Sequence, residues 1–133
     1  MAQLNEVTLS SSGDVNLEKW KSEKIGFQLS GSGSIKAPEI LTEKISAWIS
    51  GSGEIELAGQ TTSFQASIDG TGTIQANKLI AATATASIEG SGDINLNVSK
   101  LLNASISGSG TITYRGNPKL ITTISGVGEV VKQ

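Results

Sequence analysis

Ser50-Gly51-Ser52-Gly53-Glu54-Ile55 decides how the rest of this chain is read. The same Gly-x-Gly pattern returns at Gly31 and Gly33, Gly70 and Gly72, Gly90 and Gly92, Gly108 and Gly110, and Gly126 and Gly128. A degenerate copy stands at Ser11-Ser12-Gly13. Counted from residue 11, the copies begin at intervals of 20, 20, 19, 20, 18 and 18 residues. A period near twenty, held along the whole chain, marks a solenoid in which each turn buries its apolar side against the next.

Working outward from each corner, the apolar residues fall on alternate positions. Two residues before the first glycine position stand Leu9, Leu29, Ile49, Ile68, Ile88, Ile106 and Ile124. Four before it stand Val7, Phe27, Ala47, Ala66, Ala86, Ala104 and Thr122, and six before it Asn5, Ile25, Ile45, Phe64, Ala84, Leu102 and Leu120. Four after it come Val15, Ile35, Ile55, Ile74, Ile94, Ile112 and Val130, and six after it Leu17, Ala37, Leu57, Ala76, Leu96, Tyr114 and Lys132. Period two means strand, with alternate side chains on one face. The positions between are mostly Ser, Thr, Asn, Gln, Glu and Lys, as a solvated outer face requires. Equivalent strands of successive turns run the same way, so the sheets are parallel. At a strand spacing of about 4.8 Å the stack is roughly 30–35 Å long.

The glycines are read as structural turn residues. The chain reverses sharply there, and one or both glycines of each pair are expected to take a positive φ that a side chain opposes. The residue between them is small, from Ser12 and Ser32 through Ser52, Thr71, Ser91 and Ser109 to Val127. That stack offers hydroxyls able to hydrogen-bond along the column. A phosphate-cradling loop is excluded, because it needs a following helix N-terminus and strands flank these glycines.

The opposite side of each coil varies in length: 18–24, 38–44, 58–63, 77–83, 97–101 and 115–119. This variation accounts for the drift of the period from 20 to 18. Ser22-Glu23-Lys24-Ile25 and Thr42-Glu43-Lys44-Ile45 are near copies, and Trp20, Ile40 and Leu79 fall at matching places, which points to a short third face. The mixture of Lys19, Lys21 and Lys24 with Glu18 and Glu23 reads as an ordinary solvated loop.

The fold class is therefore all-β: a single-stranded parallel β-helix of about seven coils of 18–20 residues with Gly-x-Gly corners. It is expected to be right-handed, as parallel crossovers overwhelmingly are. A left-handed hexapeptide helix needs a six-residue repeat, which is not visible. Residues 1–133 read as one solenoid domain, and the brief lead-in before the first repeat suggests a piece of a longer protein. The end rungs lack an amphipathic helix to cap them, so self-association through open end rungs, or a further flanking segment, is expected.

Composition narrows the function. The net charge of −2 leaves no basic stripe for nucleic acid, and aromatics at 4% are too few to stack bases. Cysteine and histidine are absent, which removes thiolate zinc sites, Cys or His nucleophiles and His general bases. No apolar run reaches the ~18 residues of a transmembrane helix. Nothing calls for a cofactor, and no catalytic residue stands out.

The Ser-Gly-Ser-Gly-x-Ile repeats, Gly92-Asp93-Ile94-Asn95, and the segment Ser107-Gly-Ser-Gly-Thr-Ile-Thr-Tyr-Arg-Gly-Asn-Pro118 followed by Ser125-Gly-Val-Gly-Glu-Val130 resemble the bacterial head GIN domain family. Members of that family carry the label of auto-transporter adhesin. The resemblance runs over about residues 9–131. It implies a parallel β-helix in a bacterial envelope or surface setting and no established biochemical activity. Family members commonly carry a leader and a further N-terminal β segment, whereas this chain starts almost at the first repeat.

Two groups of residues are candidates for a site. Asp69 and Glu89 take one ladder position in adjacent rungs beside the corner, and Asp93 lies across the corner from Glu89. Carboxyls about 5–5.5 Å apart suit retaining glycoside hydrolysis, and carboxylate with backbone oxygen suits Ca²⁺. The plainer reading is solvated surface acids. Trp48 falls at an outward position between Gln28 and Ser67 of the neighbouring rungs. An exposed Trp on a flat polar sheet stacks on a sugar ring or anchors a protein contact; the plainer reading is packing under its own loops or in a subunit interface. Trp20 is expected to be partly buried, and Tyr114 to plug the C-terminal end. The function expected is a non-enzymatic adhesin-like binding or structural module with carbohydrate or a surface protein as partner. The alternatives are a polysaccharide-processing enzyme using the corner acids and a self-assembling rod.

Overall fold

The computed structural model describes residues 6–9, 13–16, 19–21 and 24–132. The expectations placed on Asn5, Ser11, Ser12, Leu17, Glu18 and Glu23 lie outside the described residues, as does the side chain of Trp20. The chain forms a parallel β-solenoid of some six to seven turns, the single-stranded β-helix expected. Its strands are β1 (Glu6–Leu9), β2 (Asp14–Asn16), β3 (Lys19–Lys21), β4 (Lys24–Gly31), β5 (Ser34–Gly51), β6 (Glu54–Gly70), β7 (Thr73–Gly90), β8 (Asp93–Gly108), β9 (Thr111–Arg115), β10 (Lys119–Gly126) and β11 (Glu129–Lys132). All pairings are parallel. Each coil from β5 to β8 is one bent strand that runs from one corner to the next.

The ladders read from the sequence are the ladders of the fold. Leu29 pairs with Ile49, Ile49 with Ile68, Ile68 with Ile88 and Ile88 with Ile106, all buried. Ile35, Ile55, Ile74, Ile94 and Ile112 form the matching column across the corner. Between them the core is filled by unequal neighbours. Phe64 follows Ile45 in its column, and its partner in the next coil is Ala84. Phe27 likewise precedes Ala47, Ala66, Ala86 and Ala104. Large beside small lets each ring take the room its neighbour leaves, as a close-packed interior demands.

At the corners the two glycines have different work. The first of each pair takes a positive φ: Gly31, Gly51, Gly70, Gly90, Gly108 and Gly126, with Gly51 at 123° and Gly70 at 125°. The second does not, so of the expected one or both it is one: Gly33, Gly53, Gly72, Gly92, Gly110 and Gly128 are outside the positive-φ region. These second glycines link the strand that ends at the first glycine to the strand that starts one residue later, and they pass the inter-coil bonding on. The Gly33 carbonyl accepts the Glu54 N–H at 3.1 Å, and the Gly110 carbonyl accepts that of Glu129 at 3.1 Å.

The physical reason for each glycine follows from what a side chain would meet. A Cβ on Gly70 would stand 2.6 Å from the Gly51 carbonyl oxygen, and that oxygen accepts the Thr71 N–H at 2.9 Å. The second glycine also lies close over a carbonyl, with a Cβ on Gly92 standing 2.6 Å from the Gly72 oxygen, and in addition makes room for a side chain. A Cβ on Gly72 would fall 2.6 Å from Cγ2 of Ile49, the ladder residue of the preceding coil. One on Gly92 would fall 2.7 Å from Cγ2 of Ile68, and one on Gly110 2.7 Å from Cγ2 of Ile88. Gly53 stands in the same way against Leu29, and Gly128 against Ile106. The corner column is bonded through its backbone, with Ser52, Thr71, Ser91 and Ser109 donating N–H to glycine carbonyls one coil back. The hydroxyls of Ser32, Ser52, Thr71, Ser91 and Ser109 face solvent, so it is the main chain rather than the expected hydroxyl stack that runs along this edge.

In β5 to β8 the back of each coil is strand, not loop, whereas residues 116–118 between β9 and β10 are not strand. The length differences are absorbed where the register shifts. Between the pairs Ala76/Leu96 and Thr83/Leu101, β7 takes seven residue steps and β8 five. Pro38, which has no N–H to give, sits within the shift between Ala37 and Ile40. Gly59 marks a shortcut: β5 goes from Ala37 to Ile40 while β6 goes only from Leu57 to Gly59. That shortcut has a φ of +129°, and a Cβ there would run into the Ile40 backbone. Ile40 and Leu79 are buried, so the third face exists and closes the core. One inward column there begins with Thr42 and Thr61 and continues with Ala81 and Val98. The buried Thr61 hydroxyl lies 3.1 Å from the Glu43 carbonyl, 3.2 Å from that of Ser63 and 3.4 Å from the Thr42 hydroxyl. A buried hydroxyl needs such partners.

Candidate functional site

The outward rows of β4 to β8 that lead into the corners make one flat face. Its side chains are mostly short: Ser30, Ser46, Ser50, Ser63, Ser67, Thr83, Thr85, Ser87 and Ser105. From this face Trp48 stands up, flanked in register by Gln28 on β4 and Ser67 on β6. It is 41% exposed, so more than half of the residue is covered and the rest is open to solvent. Alternation puts it there: Ala47 and Ile49, its neighbours in the chain, are buried. Short neighbours leave the indole proud of the sheet, where a flat apolar ring meets a polar field.

Beside Trp48 the face has a hollow of about 410 Å³. Its walls include Lys24, Gln28, Lys44, Ser46 and Trp48, and Gly26 lies at its floor without a side chain to fill it. The chain registers Lys24 on Lys44, Gly26 on Ser46 and Gln28 on Trp48, so the hollow is built from two adjacent strands. Lys24, read from the sequence as part of a solvated loop, is therefore the first residue of a core-forming strand. Lys19 and Lys21 bound a strand as well, paired with Glu39 and Leu41. The parallel partner supplied by β5 makes these segments strands. Gly26, Lys24 and Lys44 were not singled out as site residues. The signals were present in a lone glycine inside a strand pattern and in the repeated Glu-Lys-Ile copy.

The corner acids sit elsewhere. Asp69 and Glu89 are register partners on β6 and β7, and Asp93 opens β8 opposite Thr73 and Thr111. All three are exposed. Among the described residues no three Asp, Glu, His or Cys side chains come together to hold a metal ion. At the other end of the fold Tyr114 packs against the core from a partly buried position, in register with Leu96 and Lys132. Among the described residues no helix is long and apolar enough to cross a membrane.

Residues 1–118 match the family model described as "Putative auto-transporter adhesin, head GIN domain". The chain belongs to this family. Solved structures of similar chains share the solenoid of this head GIN domain. A Parabacteroides distasonis protein titled a putative lipid binding protein is 32% identical with a TM-score of 0.90, over 96% of this chain and 52% of that one. A Bacteroides fragilis protein titled a putative adhesin is 27% identical with a TM-score of 0.93, over 98% of this chain and 61% of that one. A further such adhesin from Parabacteroides merdae is 26% identical with a TM-score of 0.76, over 95% of this chain and 57% of that one. The head GIN chain thus spans between 52% and 61% of the length of these relatives. Among curated proteins nothing matches it.

Proposed function

We propose that this head GIN chain is a non-enzymatic binding module of a bacterial envelope or surface protein, and that its Trp48 face contacts carbohydrate. The observation that carries this reading is the half-exposed indole on a flat sheet of small polar side chains, with Gln28 and Ser67 in register on either side. An indole face offers apolar stacking area at little entropic cost, and the amide and hydroxyl beside it suit sugar hydroxyls. The adhesin titles of the relatives support a surface setting for this chain too. The rod spreads its contacts along ladders, so a repeating polymer meets a repeating surface. The test is a glycan array probed with the wild type and with Trp48→Ala, together with an assay for released reducing sugars. Binding that falls about tenfold or more in the variant, without sugar release, is the expected outcome; this corresponds to roughly 1.4 kcal/mol. Release of sugars by the wild type would make the chain an enzyme and overturn the reading.

A second reading rests on a different observation. The last described coil leaves apolar side chains uncovered: Leu120 is 38% exposed, Ile124 42% and Val127 79%. Leu120 and Ile124 occupy inward columns, and among the described residues β10 and β11 pair on one side only. We infer that this rung stacks against a further β segment, which either a flanking part of the protein or a second copy of the chain supplies.

A further inference from the structure

On the strand segments that leave the corners, across from the Trp48 face, the coil of β6 is recessed. From the pair Ala37/Leu57 to the pair Ile40/Gly59, β5 takes three residue steps and β6 two. From Glu56/Gln75 to Ala58/Lys78, β6 takes two steps and β7 three. One coil is thus a residue shorter here than both of its neighbours, and Ala58 sits where the chain cuts in. Gly59 holds the recess, since its φ of +129° and its approach to the Ile40 backbone oppose any side chain. Register shifts of this kind recur beside functional sites, where they re-aim side chains. β5 and β7 bound the recess, about 10 Å apart at a strand spacing of about 4.8 Å. The hollow between them holds about 330 Å³, and its walls include Asn16, Lys36, Glu56 and Lys78. That volume lies at the low end of small-ligand sites, about 300–1,000 Å³. Lys36 and Glu56 are register partners, and Lys78 is the partner of Ala58. Among the described residues, none of these three charged side chains is held in a hydrogen bond or ion pair. Both signs of charge are therefore open to a ligand.

We propose that this recess binds a small zwitterion, a free α-amino acid, with its carboxylate between Lys36 and Lys78, its ammonium on Glu56 and its side chain over Ala58. Hydrogen bonds between ionised partners are about twice as strong as neutral ones, and this ligand makes them with both of its ends. No net charge is required of the site: Glu56 answers the ammonium as the lysines answer the carboxylate. A neutral sugar carries neither group. The walls formed by β5 and β7 close the recess along the rod axis, so a polymer lying along the rod passes over it, whereas a molecule of amino-acid size enters. The site is separate from the Trp48 face and stands or falls independently of the carbohydrate reading.

The test is calorimetry of the whole chain against alanine, leucine, glutamate and lysine, each also as its N-acetyl derivative and its methyl ester. The variants are Lys36→Ala/Lys78→Ala, Glu56→Gln and Ala58→Leu, with Trp48→Ala as a control, each checked for unchanged far-ultraviolet circular dichroism. Expected is binding of at least one free amino acid that falls about tenfold or more on N-acetylation and again on esterification, the effect of losing one charged hydrogen bond. Glu56→Gln lowers the affinity and no longer discriminates against the N-acetyl derivative. The double lysine variant in the same way no longer discriminates against the ester. Ala58→Leu fills the recess and removes binding, and Trp48→Ala leaves it unchanged. Failure of every free amino acid to bind the wild type at millimolar concentration overturns the proposal. So does binding that ignores both blocking groups, a comparison made on the wild type and so independent of whether any variant folds. Binding kept by the Ala58→Leu protein overturns the location.

Discussion

At the scale of single residues, the corner motif is two requirements written with one letter. The first glycine of each pair satisfies a backbone conformation, and the second makes space for an aliphatic side chain one coil back. The two are separable by experiment. Gly70→Ala imposes backbone strain of about 1–3 kcal/mol and obstructs the Thr71 to Gly51 hydrogen bond, and no side-chain change nearby relieves it. Gly72→Ala is opposed in part by Ile49, so Gly72→Ala/Ile49→Ala is expected to lose less stability than the sum of its parts. Urea denaturation of the four proteins of that cycle should show a coupling of about 0.5–3 kcal/mol, with Gly70→Ala and Ile49→Ala adding independently. The turn itself was legible, since a glycine recurring at a fixed period has few other readings. The division between its members, Gly31 from Gly33 or Gly108 from Gly110, was not. A sequence shows that a side chain is missing, and the reason lies in φ at Gly70 and in the position of Ile49 Cγ2 over Gly72.

At the scale of the element, alternation made both faces of β4 to β8 readable before any coordinates, including Trp48 between Gln28 and Ser67. The back of the coils was harder. Its steps are uneven, and a strand that gains a residue at a register shift exchanges inside for outside, so period two is lost where β7 takes seven steps against five. The stacking of Lys24 on Lys44 lies in regular register, and the Glu-Lys-Ile copy in the sequence pointed to it. Two expectations belong here. Asp69 and Glu89 are like charges in register, so Asp69→Asn should raise stability by about 0.2–0.5 kcal/mol in urea titrations and leave glycan binding unchanged. A catalytic role for the corner acids requires the opposite, loss of an activity. Thr61→Val keeps the shape in a column that already accepts Ala81 and Val98, but removes a hydroxyl held by main-chain carbonyls. It should cost about 1 kcal/mol by the same measurement.

At the scale of the whole molecule, the fold was legible because a solenoid repeats its evidence. Each of the columns headed by Leu29, Ile35 and Ile25 states the same inference in coil after coil. The candidate site was legible only as an exposed indole, because a site on a ladder is a departure from the repeat that appears once. The uncovered end rung yields a prediction at this scale. If a second copy covers it, sedimentation of the wild type should show species larger than the monomer that increase with concentration, and Ile124→Glu should shift the distribution to monomer with little loss of fold. A wild type that stays monomeric at high concentration would remove the second copy and leave a flanking part of the protein as the cover. The hydrogen bonds between coils also set how the rod bears force. They lie along its axis, and each coil is bonded mainly to its two neighbours. An axial pull is therefore carried in series, every interface bears the full tension, and the rod yields by peeling one coil at a time. A pull across the axis, entering and leaving at different coils, drags strands past each other and loads many bonds of one ladder together. A load that enters at the Trp48 face, on the side of the rod, is of the second kind, in the direction in which this molecule is stiffest.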